Sequence, residues 1–129
     1  MKKEIVHPDK KDASFSTGAY SAAVEVDGWL YVSGQAAIDF SENEFKLGTI
    51  EEETHLTMHN IKRLCEAAGA SLDDVVKCTV HLRQIEDFDR FNEVYAGYFK
   101  GVRPARTTVQ SIMGHNIKVE IDAVVKLPK

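Results

Sequence analysis

The stretch YSAAVEVDGWLYVS, residues 20–33, settles the first question about the fold. Two runs rich in strand-forming residues flank Asp27-Gly28. A two-residue turn between antiparallel strands needs positive φ at both central positions, and Asp-Gly supplies it. Tyr20–Val26 and Trp29–Ser33 therefore read as a hairpin, with Gly34 breaking its second strand. Upstream, the first dozen residues are polar apart from a short candidate strand at Glu4–His7. Downstream, Asp39–Thr49 is polar, contains Gly48 and reads as a loop.

Beyond the loop the apolar period changes from two to three or four. Met58, Ile61, Leu64, Cys65 and Ala68 mark a helix over Glu51–Ala68. Its first turn carries Glu51, Glu52 and Glu53, where the helix dipole favours anions, and Gly69 follows as a stop. Ser71-Leu72-Asp73-Asp74 has the form of a capping box and predicts a short turn. Val75–Leu82 reads as a strand, with Val76, Cys78, Val80 and Leu82 on one face and Lys77, Thr79 and His81 on the other. A second helix is predicted over Asp87–Lys100 from the Phe88, Phe91, Val94, Tyr95, Tyr98 and Phe99 stripe, ending at Gly101. Two strands close the chain, Ala105–Ile112 and Ile117–Val125.

The order is β-β-β-α-β-α-β-β, an α+β fold with a six-stranded mixed sheet and two helices on one face. With 129 residues, 43% hydrophobic and 28% charged, the chain suits one domain over residues 1–129 with a real core. The other sheet face is too apolar to leave wet, and oligomerisation is the usual remedy. Asp and Glu outnumber Lys and Arg by 20 to 16, which disfavours dedicated nucleic-acid binding. No apolar run approaches the roughly 20 residues of a membrane helix. No signal-like stretch follows Met1-Lys2-Lys3-Glu4-Ile5, so a cytoplasmic location is expected.

Local catalytic motifs are missing: there is no P-loop, G-x-G-x-x-G, G-x-S-x-G or H-E-x-x-H. His55 and His59 have i,i+4 spacing but lack the metalloprotease Glu, and read as surface histidines; no metal site is expected. Cys65 and Cys78 fall on apolar faces and read as buried, inert thiols. The last two strands hold more. Period two puts Arg106, Thr108 and Gln110 on one face, and Lys118, Glu120 and Asp122 on one face of the next strand. If Met113-Gly114 lies near a hairpin turn, antiparallel pairing brings Arg106 close to Glu120. Such a pair is either a cross-strand ion pair or a grip for a small anion beside a proton-transfer group, and spacing does not choose.

Five ordered blocks resemble one family: Gly18-Ala19-Tyr20-Ser21, Tyr31-Val32-Ser33-Gly34-Gln35, residues 67–77 (AAGASLDDVVK), Pro104-Ala105-Arg106 and Val119-Glu120-Ile121-Asp122-Ala123. Over about residues 15–126 the chain is similar to the Rid family (reactive intermediate deaminase, also YjgF or L-PSP). The resemblance implies a chorismate-mutase-like fold and a homotrimer with three ligand pockets between subunits. It implies hydrolysis of enamines and imines such as 2-aminoacrylate and 2-iminobutyrate to 2-keto acids and ammonium, without a cofactor. Carried over, Arg106 binds the substrate carboxylate, Glu120 is the acid/base or water-orienting group, and Tyr20, Ser33 and Asn92 line the pocket. Thr108 stands where typical deaminases have cysteine, Ala19 replaces a common proline, and Ile112-Met113-Gly114-His115-Asn116 departs from the usual Leu-Pro loop. Two alternatives stay open. One is a non-enzymatic trimer binding small carboxylates, which Thr108 favours. The other is an endoribonuclease or translation inhibitor, which would need Lys62, Arg63, Lys100, Arg103 and Lys118 to converge.

Overall fold

The structure, a computed structural model, describes residues 1–11 and 16–128. The strands are β1 (Lys3–Ile5), β2 (Ala23–Val26), β3 (Trp29–Gln35), β4 (Ile38–Asp39), β5 (Glu44–Phe45), β6 (Val75–Leu82), β7 (Ala105–Gln110) and β8 (Val119–Lys126); the helices are α1 (Ile50–Ala67) and α2 (Phe88–Ala96). Six strands form one mixed sheet in the order β1-β2-β3-β8-β6-β7, and β4 and β5 form a separate two-stranded piece. Both helices pack together, α1 lying against β3 and β8, and the core between helices and sheet includes Leu30, Leu64, Val80, Phe91 and Ile121.

Local chemistry sets several boundaries as expected. Asp27 (φ 52°) and Gly28 (φ 82°) both turn left-handed between β2 and β3. Gly69 (φ 81°) ends α1, with its N–H on Glu66 O and that of Ala70 on Cys65 O, a Schellman arrangement. Thr49 and Glu52 cap the start of α1 reciprocally, and Ser71 and Asp74 cap the 3-10 turn before β6.

Other expectations are corrected. β2 begins at Ala23, so Tyr20 precedes the strand, and β3 runs through Gly34 to Gln35. The polar loop over 39–49 contains the β4–β5 hairpin, turned by Asn43 at φ 59°. The first strand is Lys3–Ile5, leaving His7 outside it. α2 stops at Ala96 with Gly97 as its cap, short of Gly101. Val75, not Val76, is buried at the start of β6, because one extra residue is inserted there opposite β8.

The largest correction concerns the last two strands. β7 pairs with β6 in parallel, and β8 lies between β3 and β6. β6, α2 and β7 form a βαβ unit, in which the helix returns the chain to the same end of the sheet. Residues 111–118 then carry the chain around the end of β6. Arg83, just past β6, holds this passage by donating from Nε to Ile117 O (2.8 Å) and from Nη2 to Met113 O (2.6 Å). Ser111 N–H bonds Leu82 O, and Arg83 N–H bonds Lys118 O. Arg106 and Glu120 are therefore not cross-strand neighbours.

The chain start is tied down by a buried polar relay. His7 is 2% exposed; its Nδ1 accepts from Asp9 N–H, which leaves Nε2–H to donate to Asn60 Oδ1 at 3.0 Å. Asn60 Nδ2 donates to Ala36 O and Ile38 O. Burial pushes His7 below its ordinary value of 6.5, against the raising pull of its Asn60 hydrogen bond and of Asp9. The folded protein thus binds this proton less readily than the unfolded chain does. His7 costs no stability above about pH 6.5 and destabilises as pH falls below it, at a limiting slope of about 1.4 kcal/mol per pH unit. Urea unfolding at pH 7.5 and 5.5 should show wild type losing more stability on acidification than His7→Gln; equal losses contradict the relay.

Candidate active site

Glu120 is positioned by β8. Val119, Ile121, Ala123 and Val125 point into the core, so Glu120, Asp122 and Val124 take the opposite face. Opposite Asp122, two residues along from Glu120, the β3 ladder is irregular. Val32 pairs with Ala123 and Gln35 with Ile121, so Ser33-Gly34 contains one residue more than its partner strand. A Cβ on Gly34 would lie 2.3 Å from Glu120 Oε2, so only glycine lets the carboxylate fold back over the bulge.

Ser33 Oγ donates to Ser21 O at 2.7 Å, and Ser33 N–H bonds Ala22 O. These bonds hang the segment carrying Tyr20 beside the bulge. Tyr20 is 56% exposed, and its hydroxyl bonds Thr17 Oγ1. Tyr20, Gly34 and Glu120 border both a half-open cavity of about 200 Å³ and a more open groove that also contains Ser33, Tyr31 and Asp122.

A buried carboxylate sets the approach to β8. Glu53 of α1 is fully buried; Oε1 accepts from Lys118 N–H (2.8 Å) and Oε2 from Gly48 N–H (3.0 Å), with Lys118 Nζ at 3.4 Å. Lys118 is thus occupied by Glu53 and does not share a free face with Glu120.

Arg106 lies elsewhere. It is in register with Cys78, and Cys78 with Ala123, so its side chain takes the helix-facing side of β7. Its guanidinium carbon lies 4.9 Å from the Tyr95 ring centroid, 5.4 Å from Phe91 and 5.6 Å from Phe88. Asn92, Tyr95, Arg103, Pro104 and Arg106 line one surface hollow, and Thr108 follows on the same face in register with Val80. Among the described residues, no carboxylate lies within 4.0 Å of the Arg106 guanidinium. Burial keeps the Tyr95 phenol protonated.

The predicted residues therefore fall into two groups. Tyr20, Ser33 and Glu120 gather on the outer face, and Asn92, Arg106 and Thr108 on the helix face at the sheet edge. Along the strands the groups are three residues apart, about 10 Å, and two strand spacings, again about 10 Å, separate them across the sheet. Gly34, which reads in the sequence as a strand breaker and as part of a family-like block but not as a site residue, is the missed member of the first group. Its signal is that it follows Ser33 in a strand whose partner carries Glu120.

The remaining candidates have structural partners. His55 bonds Tyr98 and His59 faces Asp9, so the two do not converge, and no cluster of three metal-ligating side chains occurs among the described residues. Burial pushes the Cys65 thiol up to about 12 and raises Cys78 as well, leaving both inert. Arg63 pairs with Asp9 and Glu66, Lys118 with Glu53, and Lys62 and Lys100 share a hollow with Glu66 and Asp73. Among the described residues no helix is long and apolar enough to cross a membrane.

Comparisons with known proteins place this geometry among relatives. A family model described as Endoribonuclease L-PSP matches residues 11–127. A RutC family protein of Saccharolobus solfataricus is 46% identical over 123 residues, covering 95% of this chain and 96% of that protein. The 2-iminobutanoate/2-iminopropanoate deaminase of Mus musculus is 36% identical over 123 residues, covering 95% and 90%. The crystal structure of RidA from an Antarctic Psychrobacter superposes with a TM-score of 0.87 at 36% identity, covering 97% of this chain and all of that one.

Glu53→Ala strands two backbone N–H groups and half-releases a lysine, and should cost about 3 kcal/mol in urea unfolding. A loss under about 1 kcal/mol would show that water replaces the carboxylate without penalty.

Proposed function

The chain belongs to the endoribonuclease L-PSP family, which is the Rid or YjgF family, and from that premise we propose that it hydrolyses reactive 2-imino acids and their enamine tautomers to 2-keto acids and ammonium. The observation that carries the reading is the division of the candidate residues between two faces. Arg106 is braced by three rings and, among the described residues, lacks an acidic partner; Glu120 sits on the opposite face beside a cavity. Neither group suffices alone. A site is completed when the β7 edge of one copy meets the Glu120 face of another, as in a homotrimer. This contact would also cover the outer sheet face, where Tyr31 and Val109 are exposed.

The chemistry asks little of the protein. Arg106 of the partner subunit would bind the substrate carboxylate through its planar fork and so fix which face of C2 is open. Ring contacts hold the guanidinium without neutralising it. An enamine first takes a proton from solvent on its β-carbon to become the iminium. Water then adds to C2 while its proton passes to Glu120, giving a carbinolamine. Return of that proton to nitrogen makes an ammonium leaving group; as the C–N bond breaks and the C=O bond forms, Glu120 takes the hydroxyl proton and passes it to the departing ammonia, which leaves as ammonium. Glu120 serves as base and then acid, and no covalent intermediate with the protein is needed. Thr108 on the arginine side offers a hydroxyl where the family commonly has cysteine; because no nucleophile is required, the replacement is compatible with turnover. Thr108 also favours a second reading, a trimer that binds small carboxylates without turnover. Calorimetric binding of a 2-keto acid with no rate effect would support that reading. RNA cleavage is disfavoured by the net charge of -4 and by the acidic partners of the basic residues.

The test couples a threonine dehydratase to a keto-acid readout. The protein should accelerate 2-keto acid release above spontaneous hydrolysis. Arg106→Ala and Glu120→Gln should each lower that acceleration by about a hundredfold or to background, with folding unchanged by circular dichroism. A rate equal to spontaneous hydrolysis for the wild type rejects the deaminase reading, and an undiminished rate for Arg106→Ala moves the site elsewhere.

A further inference from the structure

The half-open cavity beside Glu120 has no role in the proton transfers of the proposed reaction. Glu120, Tyr20 and Gly34 border it on one side and the open groove on the other. Its remaining wall includes Ala22, Ile38, Phe40, Phe45 and His115. All three rings of this wall are stacked, two on each other and one on a ring outside the cavity. Phe45 stacks on His115 with centroids 4.4 Å apart and planes at 18°, and Phe40 stacks on buried His7 at 4.3 Å and 26°. His115 reaches Phe45 because it and Asn116 adopt left-handed φ of 61° and 57°, in the passage that Arg83 pins. The cavity is thus preformed by elements distant in sequence, and a ligand need not order it. About 200 Å³ is room for several water-sized groups, more than a methyl or ethyl fills.

We infer that this cavity receives the side chain of the imino acid, and that the preferred occupant is a branched aliphatic or aromatic group. The inference rests on the deaminase reading only in placing C2 beside Glu120. Arg106 of the partner subunit approaches from outside, so the carboxylate takes the open groove. The substituent across C2 then points inward, towards Phe40 and Phe45. An apolar group gains there by leaving water and by facing the rings. Half-buried Lys10 also lines the cavity and supplies the contrary expectation, a preference for acidic side chains.

Product-side ligands test this without turnover. Calorimetry on the native oligomer should give phenylpyruvate and 4-methyl-2-oxopentanoate at least about tenfold tighter binding than 2-oxobutanoate. Ala22→Leu fills the cavity and Phe45→Ala removes the stacked wall; each should bring that ratio towards one. Phe45→Ala keeps the test usable if Ala22→Leu, which touches the core, folds poorly. Equal affinities in the wild type, tightest binding of 2-oxoglutarate, a ratio unmoved by both variants, or no binding of any 2-oxo acid would overturn the inference. Failure of the deaminase reading has a different signature: the preference for long side chains persists while 2-iminobutanoate hydrolysis is not accelerated.

Discussion

The period of two along β8 governs everything at the candidate site. β8 occupies the middle of the sheet, between β3 and β6, and its alternate residues Val119, Ile121, Ala123 and Val125 complete the core. A one-residue slip would bury Glu120 among aliphatics and expose Ile121, so the register is fixed by hydrophobic burial. The same alternation, carried through β6 to β7, sends Arg106 to the helix side. The core therefore forces the acid and the guanidinium onto opposite faces of one chain, and a joint site has to be made between copies.

Around this constraint the loops are held by polar groups rather than by apolar packing. Glu53 fixes the entries to α1 and β8, Arg83 fixes the passage from β7 to β8, and the His7–Asn60 relay fixes the segment after β3. Each uses a side chain to satisfy backbone groups that have left the regular ladders, which buried or half-buried loops require. Residues they hold, Phe40 stacked on His7 and His115 in the Arg83-held passage, line the cavity beside Glu120. The positions of His115, Phe40 and Lys118 follow from them.

Much of this was legible in the residues, and what was not has a common cause. The Asp27-Gly28 turn, the Gly69 stop and the alternation of β8 are local: φ preference and burial act within a few positions, so the sequence reveals them. The partner of β7 is not local. Two strands joined by eight residues resemble a hairpin, and nothing in residues 111–118 announces that Arg83, thirty positions earlier, draws the chain around β6. Residues Ser33 and Gly34 were readable as a block, but the bulge that turns Glu120 over Gly34 depends on a register shared with a strand near the other end of the chain. The family resemblance named Arg106, Glu120, Tyr20, Ser33 and Asn92 as candidates. Period-two spacing predicts Arg106 beside Glu120 in one chain, and the parallel pairing of β7 with β6 separates them.

The most direct measurement is complementation between two defective copies. Arg106→Ala and Glu120→Gln chains, unfolded and refolded together in equal amounts, should recover about a quarter of wild-type activity, because in a cyclic oligomer one adjacency in four joins an intact Arg106 to an intact Glu120. Activity no higher than that of the separate variants, with mixed oligomers shown by mass spectrometry, would contradict a site shared between copies.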